Sequence, residues 1–152
     1  MFSKKKIEDQ VLVIFGSNGD LARRKLLPAI FQLYTGGFLP AKFIVTGAGS
    51  QEKDETAYRK DVETAIKEFI PKEAAAHAEE LKSFLIQVYY KKVHNQTTSD
   101  FEGLRDYLVK VTDELEIRRN VIYYFSIPPF LYETHAANLV EYGLNKEEDG
   151  WK

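Results

Sequence analysis

The chain has 152 residues, 21 basic and 23 acidic side chains for a net charge of −2, and no cysteine. That length suits one domain with a real core, and the charge balance excludes a whole-chain basic field for nucleic acid or an anionic membrane. The missing thiols exclude disulfides and thiolate metal sites and fit a reducing, cytoplasmic compartment.

The opening residues, MFSKKKIEDQ, lack the apolar core of a signal peptide. Residues 1–10 read as a polar tail, with Lys4–Lys6 a solvated basic run. No apolar run approaches the ~20 residues of a membrane span. Val11–Phe15 is a continuous apolar run ending at glycine, the pattern of a parallel strand buried on both faces. Leu21–Tyr34 has helical periodicity, but Pro28 predicts a short first turn and then a kink or restart. Gly36–Gly37 end that helix. Phe43–Thr46 reads as a second strand, running into GAGS. Asp54–Phe69 reads as a helix, and Pro71 opens another through PKEAAAHAEELKSF. Phe84–Tyr90 reads as a third strand. Ser99–Leu115 carries an apolar helical stripe at Phe101, Leu104, Leu108, Val111 and Leu115. Val121–Ile127 reads as a fourth strand, followed by a helix over PPFLYETHAANLVEYGL. Strand and helix alternate, so the expected class is α/β: a Rossmann-like doubly wound parallel sheet, helices on both faces, in one domain over residues 11–152.

The turn after the first strand reads GSNGDLARRK. Its small residues fall as G-x-x-G-x-x-A at Gly16, Gly19 and Ala22. Gly16 permits a tight turn, Gly19 lets backbone approach a pyrophosphate, and Ala22 lets the helix pack near the strand. The helix start then offers N–H groups to phosphate. A plain strand–turn–helix corner also uses glycine; the place after the first strand of an alternating chain favours the nucleotide reading. Arg23, Arg24 and Lys25 are consecutive and cannot share one helix face. Lys25 is the candidate to face an anion, against a solvated basic face.

The run GSNGDLARRKLLPAIFQLYTGGFLP resembles the cofactor loop and first helix of glucose-6-phosphate dehydrogenases, and VIYYFSIPP resembles that family's fourth strand with its paired prolines. The resemblance extends from about Val11 to Trp151. It implies an N-terminal cofactor-binding domain of an NADP-dependent enzyme oxidising glucose 6-phosphate to 6-phosphogluconolactone in the oxidative pentose phosphate pathway. It further implies pyrophosphate contacts at Gly16, Ser17, Asn18, Gly19, Asp20 and Leu21. Lys25 would lie between cofactor and sugar phosphate, Lys92 and Val93 near the adenosine, and Ser126, Ile127, Pro128 and Pro129 on the nicotinamide side. Relatives of this kind are homo-oligomers built mainly through a second domain.

Two departures follow from the same resemblance. Ungapped alignment puts Ser50 where the family carries an arginine for the 2′-phosphate of NADP, which leaves Ser50, Gln51 or Lys53 to bind it and relaxes selectivity toward NAD. The family's glutamate–lysine–proline turn and its arginine–isoleucine–aspartate–histidine stretch have no counterpart here, so no catalytic residue is expected in this chain, and the isolated domain is expected to bind dinucleotide without turnover. His77 and His94 read as surface residues and His135 as an ordinary helix residue, with no metal site.

Two rivals remain at this level. One is a stand-alone, non-catalytic dinucleotide-binding or association module. The other is a short-chain dehydrogenase fragment, for which Tyr142 and Lys146 match the Tyr-x-x-x-Lys spacing. The strand tyrosines Tyr89, Tyr90, Tyr123 and Tyr124, with Phe125, read as sheet packing, with base or nicotinamide stacking the other use.

Overall fold

A computed structural model describes residues 7–94 and 98–152; the run Lys4–Lys6 lies outside them. Four parallel strands form the centre: β1 (Gln10–Phe15), β2 (Phe43–Gly49), β3 (Val88–Lys92) and β4 (Val121–Phe125), in the order β3-β2-β1-β4. That is the first half of the doubly wound order, as the alternation predicts. Side chains of β1 alternate between two cores. Val11, Val13 and Phe15 pack with Phe101, Leu104 and Leu108 of α5 (Ser99–Glu114) and with Leu139 of α6 (Tyr132–Glu141). Leu12 and Ile14 pack on the other side, with Ile30 and Phe31 of α1 (Leu27–Thr35), Val62 and Ile66 of α2 (Glu55–Phe69), and Phe84. Double-sided burial is why the strands read as continuous apolar runs.

The restart predicted at Pro28 takes the form of a five-residue π-helical segment, Ala22–Leu26, in which the Leu27 N–H reaches back to the Ala22 carbonyl. Pro28 has no N–H and its ring crowds the carbonyl one turn back; the wider turn ahead of it is how the helix accommodates both facts. Asp54 caps α2, accepting from the Ala57 N–H at 2.7 Å.

Several boundaries differ from the expectation. Strand β2 does not stop at Thr46; it pairs with β3 as far as Gly49↔Lys92. The expected helix from Pro71 is two, α3 (Pro71–Ala76) and α4 (Ala78–Ile86), meeting at His77, whose backbone leaves helical geometry. Phe84–Ile86 is helical, not strand: Leu81 and Phe84 stand one turn apart on the buried face of α4, and Phe84 packs against Phe31, Tyr34 and Phe43. Strand β4 ends at Phe125, because Pro128 and Pro129 cannot continue a ladder. A 3₁₀ turn, Pro129–Leu131, then leads into α6. Leu115 falls at the end of α5 and is exposed, outside the buried stripe. The polar lead-in is tied down: the Asp9 carboxylate accepts from the Arg118 N–H, and Glu8 accepts from the Trp151 indole at 2.7 Å. Among the described residues, no helix is long and apolar enough to cross a membrane.

Candidate dinucleotide site

The carboxyl ends of β1, β2 and β4 converge where the strand order reverses, the crevice in which open α/β sheets bind ligands. Gly16 makes the turn out of β1 with φ +76°, and a Cβ there would overlap the Ser126 carbonyl. The Gly16 N–H donates to the Ala48 carbonyl at 2.9 Å and the Ser126 N–H to the Phe15 carbonyl at 3.0 Å, which stitches the three strand ends together. Gly19 donates to the Gly16 carbonyl at 2.9 Å, closing the loop before the helix.

These pieces enclose a groove of about 300 Å³ lined by Gly16, Asn18, Gly19, Gly49, Ser50, Gln51, Ser126, Ile127 and Pro128. Eight of these nine are candidate residues from the sequence; Gly49 is the addition. A Cβ at Gly49 would overlap the Asn18 amide, so the second glycine of GAGS is what lets the two loops meet. A backbone cradle that tolerates no side chain, open toward a helix start, fits the diphosphate of a dinucleotide.

Tyr90 organises this rim. Its hydroxyl lies 2.7 Å from the Gln51 carbonyl, 3.0 Å from that of Gly49 and 3.1 Å from Asn18 Oδ1. Burial pushes the phenol up to about 12, against the lowering pull of the Asn18 and Gln51 contacts. One hydroxyl proton serves the shortest contact, to Gln51. The sequence gives Tyr90 sheet packing or ring stacking as its uses, not this hydroxyl junction; the available signal is a strand tyrosine opposite a glycine-rich strand end.

Ser17 does not line the groove. It is buried on the other side of the turn, where it lines a second cavity of about 320 Å³ with Asn18, Arg23, Gln51, Lys53, Tyr58 and Asp61. Ser17 Oγ and Tyr58 Oη both lie against the bare Cα of Gly47. Neither makes a hydrogen bond of ordinary geometry. Burial raises the Tyr58 phenol, and the neighbouring Ser17 hydroxyl partly opposes that.

The remaining candidates lie outside both spaces. Asp20 and Leu21 are exposed at the helix start. Arg23 pairs with Glu68 and lies over the Phe69 ring; Arg24 pairs with Asp20 at 3.6 Å. Among the described residues, Lys25 has no carboxylate partner, and it is exposed. Lys92 is exposed and pairs with Glu52, which raises its pKa. Val93 is core, and Pro129 starts the 3₁₀ turn. His77 is half-buried near Glu80, and His94 is exposed. His135 is 1 % exposed, ringed by Phe15, Phe101 and Phe125. Tyr142 and Lys146 line no part of the groove. Gly143, at φ +72°, follows Tyr142 at the end of the helix, and the Tyr142 hydroxyl is engaged with Thr98. That removes the structural basis of the short-chain reading.

The family model described as "Glucose-6-phosphate dehydrogenase, NAD binding domain" matches residues 13–152. Glucose-6-phosphate 1-dehydrogenase of Aggregatibacter actinomycetemcomitans is 35% identical over 147 residues, covering 97% of this chain and 29% of that protein. That of Dickeya dadantii is 36% identical over 138 residues, covering 90% and 26%. In fold, the chain is similar to a solved glucose-6-phosphate dehydrogenase in complex with glucose 6-phosphate, with a TM-score of 0.81 at 24% identity, covering 98% of this chain and 30% of that one. The chain thus spans under a third of the length of the relatives it matches. Motif, strand order and similarity agree: this chain belongs to the glucose-6-phosphate dehydrogenase family, as its N-terminal dinucleotide-binding domain.

Proposed function

We propose that the groove at the β1, β2 and β4 ends binds NADP, with NAD as a weaker ligand, for the oxidation of glucose 6-phosphate by a parent enzyme. The single observation that carries this is the Gly16 turn, whose missing side chain leaves a cradle between the Ser126 carbonyl and the helix start. When bound, the nicotinamide supplies a hydride acceptor. This chain's own residues bind and orient it. Gly16, Asn18 and Gly19 would hold the diphosphate. Gln51 and Ser50 would face the adenosine ribose, and Ser126, Ile127 and Pro128 would wall the nicotinamide end. Asp20, Leu21 and Lys25 would flank the phosphates, Lys25 toward the sugar phosphate, with Lys92 and Val93 beyond the adenosine and Pro129 behind Pro128.

The reading includes a cytoplasmic, homo-oligomeric parent in the oxidative pentose phosphate pathway. It assigns no proton-abstracting base to this chain, so the chain alone binds dinucleotide without turnover. Calorimetric titration with NADP and with NAD at one fixed salt concentration tests it. Binding of both, NADP the tighter, is expected. Binding of neither, or sugar-phosphate-dependent NADPH formation by this chain alone, overturns the corresponding half of the proposal.

A further inference from the structure

We infer that β3 is a guarded pairing edge: Arg59 and Tyr107 occupy the backbone rung that a strand of a second copy would take, and so hold the chain out of self-pairing there. The inference is independent of the dinucleotide reading.

Strand β3 stands at one side of the sheet, in the order β3-β2-β1-β4. The Val45 N–H donates to the Gln87 carbonyl at 2.9 Å, and the Val93 N–H to that of Gly49 at 2.8 Å. Backbone direction alternates along a strand, so Val88, Tyr90 and Lys92 turn their N–H and C=O groups away from β2. Such an outer row is a template for another strand. Val88, Tyr89 and Tyr90 strengthen it, being the β-branched and aromatic residues that strands favour.

Side chains from a helix on each face of the sheet meet that row. From α2, Arg59 Nε donates to the Val88 carbonyl at 2.8 Å, and a terminal guanidinium nitrogen donates to that of Ile86 at 3.2 Å. The same guanidinium lies 5.3 Å from the centre of the Tyr89 ring and 3.8 Å from the Glu55 carboxylate. From α5, the Tyr107 hydroxyl donates to Glu55. Burial and that carboxylate push the Tyr107 phenol up, while the Tyr90 backbone N–H, donating to its oxygen, pulls the other way. In a parallel ladder, one residue of an added strand donates to a carbonyl and accepts from the N–H two positions further on. Arg59 supplies that donor at Val88, and Tyr107 supplies that acceptor at Tyr90. Glu55 touches both, so α2 and α5 close over the edge together. A second copy is the partner excluded, because every molecule presents the same row and pairing would satisfy both at once.

The test compares the full wild-type chain with Arg59→Ala, with Arg59→Ala/Tyr107→Phe, and with Lys60→Ala, which removes an exposed cation at the next position of the same helix. Light scattering follows average mass against chain concentration, and far-ultraviolet circular dichroism checks that each variant is folded. Lys60→Ala is expected to follow the wild-type curve. The double variant is expected to at least double its average mass over the same range, with Arg59→Ala between the two. Hydrogen exchange locates the contact: amide protection at Tyr90 and Lys92 is expected to rise with the concentration of the double variant. Where the double variant does not fold, Arg59→Ala carries the same comparison. A folded variant whose mass tracks wild type overturns the guard. Equal association of Lys60→Ala, or added protection that falls outside β3, overturns it as well.

Discussion

Tyr90 and Asn18 meet across the rim of the groove, phenol oxygen to amide oxygen position at 3.1 Å, though 72 positions separate them in the chain. The same hydroxyl reaches the Gly49 and Gln51 carbonyls, so one side chain in the middle of β3 sets the spacing between the loops after β1 and β2. Those loops are the two walls that a dinucleotide must span.

Tyr90→Phe keeps the ring and deletes that junction. The expected cost is about 1–2 kcal/mol in urea unfolding, because the Gln51 carbonyl loses its donor and the loop junction loses its shared hydroxyl. Dinucleotide affinity is expected to fall severalfold, mostly through faster dissociation, as the loops lose their fixed separation. Unchanged affinity in a variant that is measurably less stable would separate packing from positioning and remove the second role.

Gly16→Ala tests the cradle. The positive φ and the overlap with the Ser126 carbonyl together predict a loss of several kcal/mol in stability and of detectable dinucleotide binding. Gly37→Ala is the control: φ is also positive, at +73°, but nothing lies within 4 Å of the new carbon. It is expected to cost about 1 kcal/mol and to leave binding unchanged. Thermal unfolding and titration of the pair give the comparison.

Acid sensitivity is expected to centre on His135. Burial among Phe15, Phe101 and Phe125 lowers its pKa below the ordinary 6.5, partly offset by the Leu131 carbonyl that Nδ1 contacts at 3.0 Å. A base with a depressed folded pKa contributes stability that is fully present above its unfolded value and lost as pH falls through the folded one. Unfolding free energy is therefore expected to fall as pH drops below 6.5, and His135→Asn is expected to flatten that limb in a series of urea titrations.

Alkali acts with the opposite sign. The Tyr90 phenol titrates near 12 in the folded chain against 10 unfolded, and burial raises Tyr58, Tyr107 and Tyr123 in the same direction. Stability from such groups is complete below pH 10 and is lost as pH rises toward and past 12. Phenolate absorbance is expected to rise in the same step as loss of the far-ultraviolet helix signal. Independent titration of these four tyrosines without unfolding would contradict the packing described for them.

Asp54→Ala is expected to destabilise α2 by about 1 kcal/mol, since it removes the side chain that accepts from the Ala57 N–H. A Ser replacement is expected to restore most of that loss in the same denaturation assay.

Much of this architecture was legible in the chain itself. A parallel, double-sided sheet follows from apolar runs such as Val11–Phe15 alternating with amphipathic helices, because only burial on both faces requires such runs. The glycine turn after β1 is legible because its spacing is local: three small residues within seven positions have to serve one bend. Element ends were harder. Phe84–Ile86 has strand-like composition, and only contact with Phe31, Tyr34 and Phe43 makes it the buried side of a helix. Strand β2 outruns its apolar run because Gly47 and Gly49 are there to admit Tyr58 and Asn18, partners that sequence spacing cannot announce.

The sequence by itself determined the fold class and the glycine turn, since those depend on periodicity and on residues near one another in the chain; the lining residues after β2 and β4 were implied only by the family resemblance. Only the tertiary structure decided that Ser17 turns away from the groove, that Tyr90 joins two of its walls, and that Lys53 and Arg23 border one cavity with Ser17 and Tyr58. The physical reason is range. A turn is settled by the backbone torsions of a few neighbours, whereas the direction of a side chain at a strand end is settled by whichever distant residue fills the space opposite it.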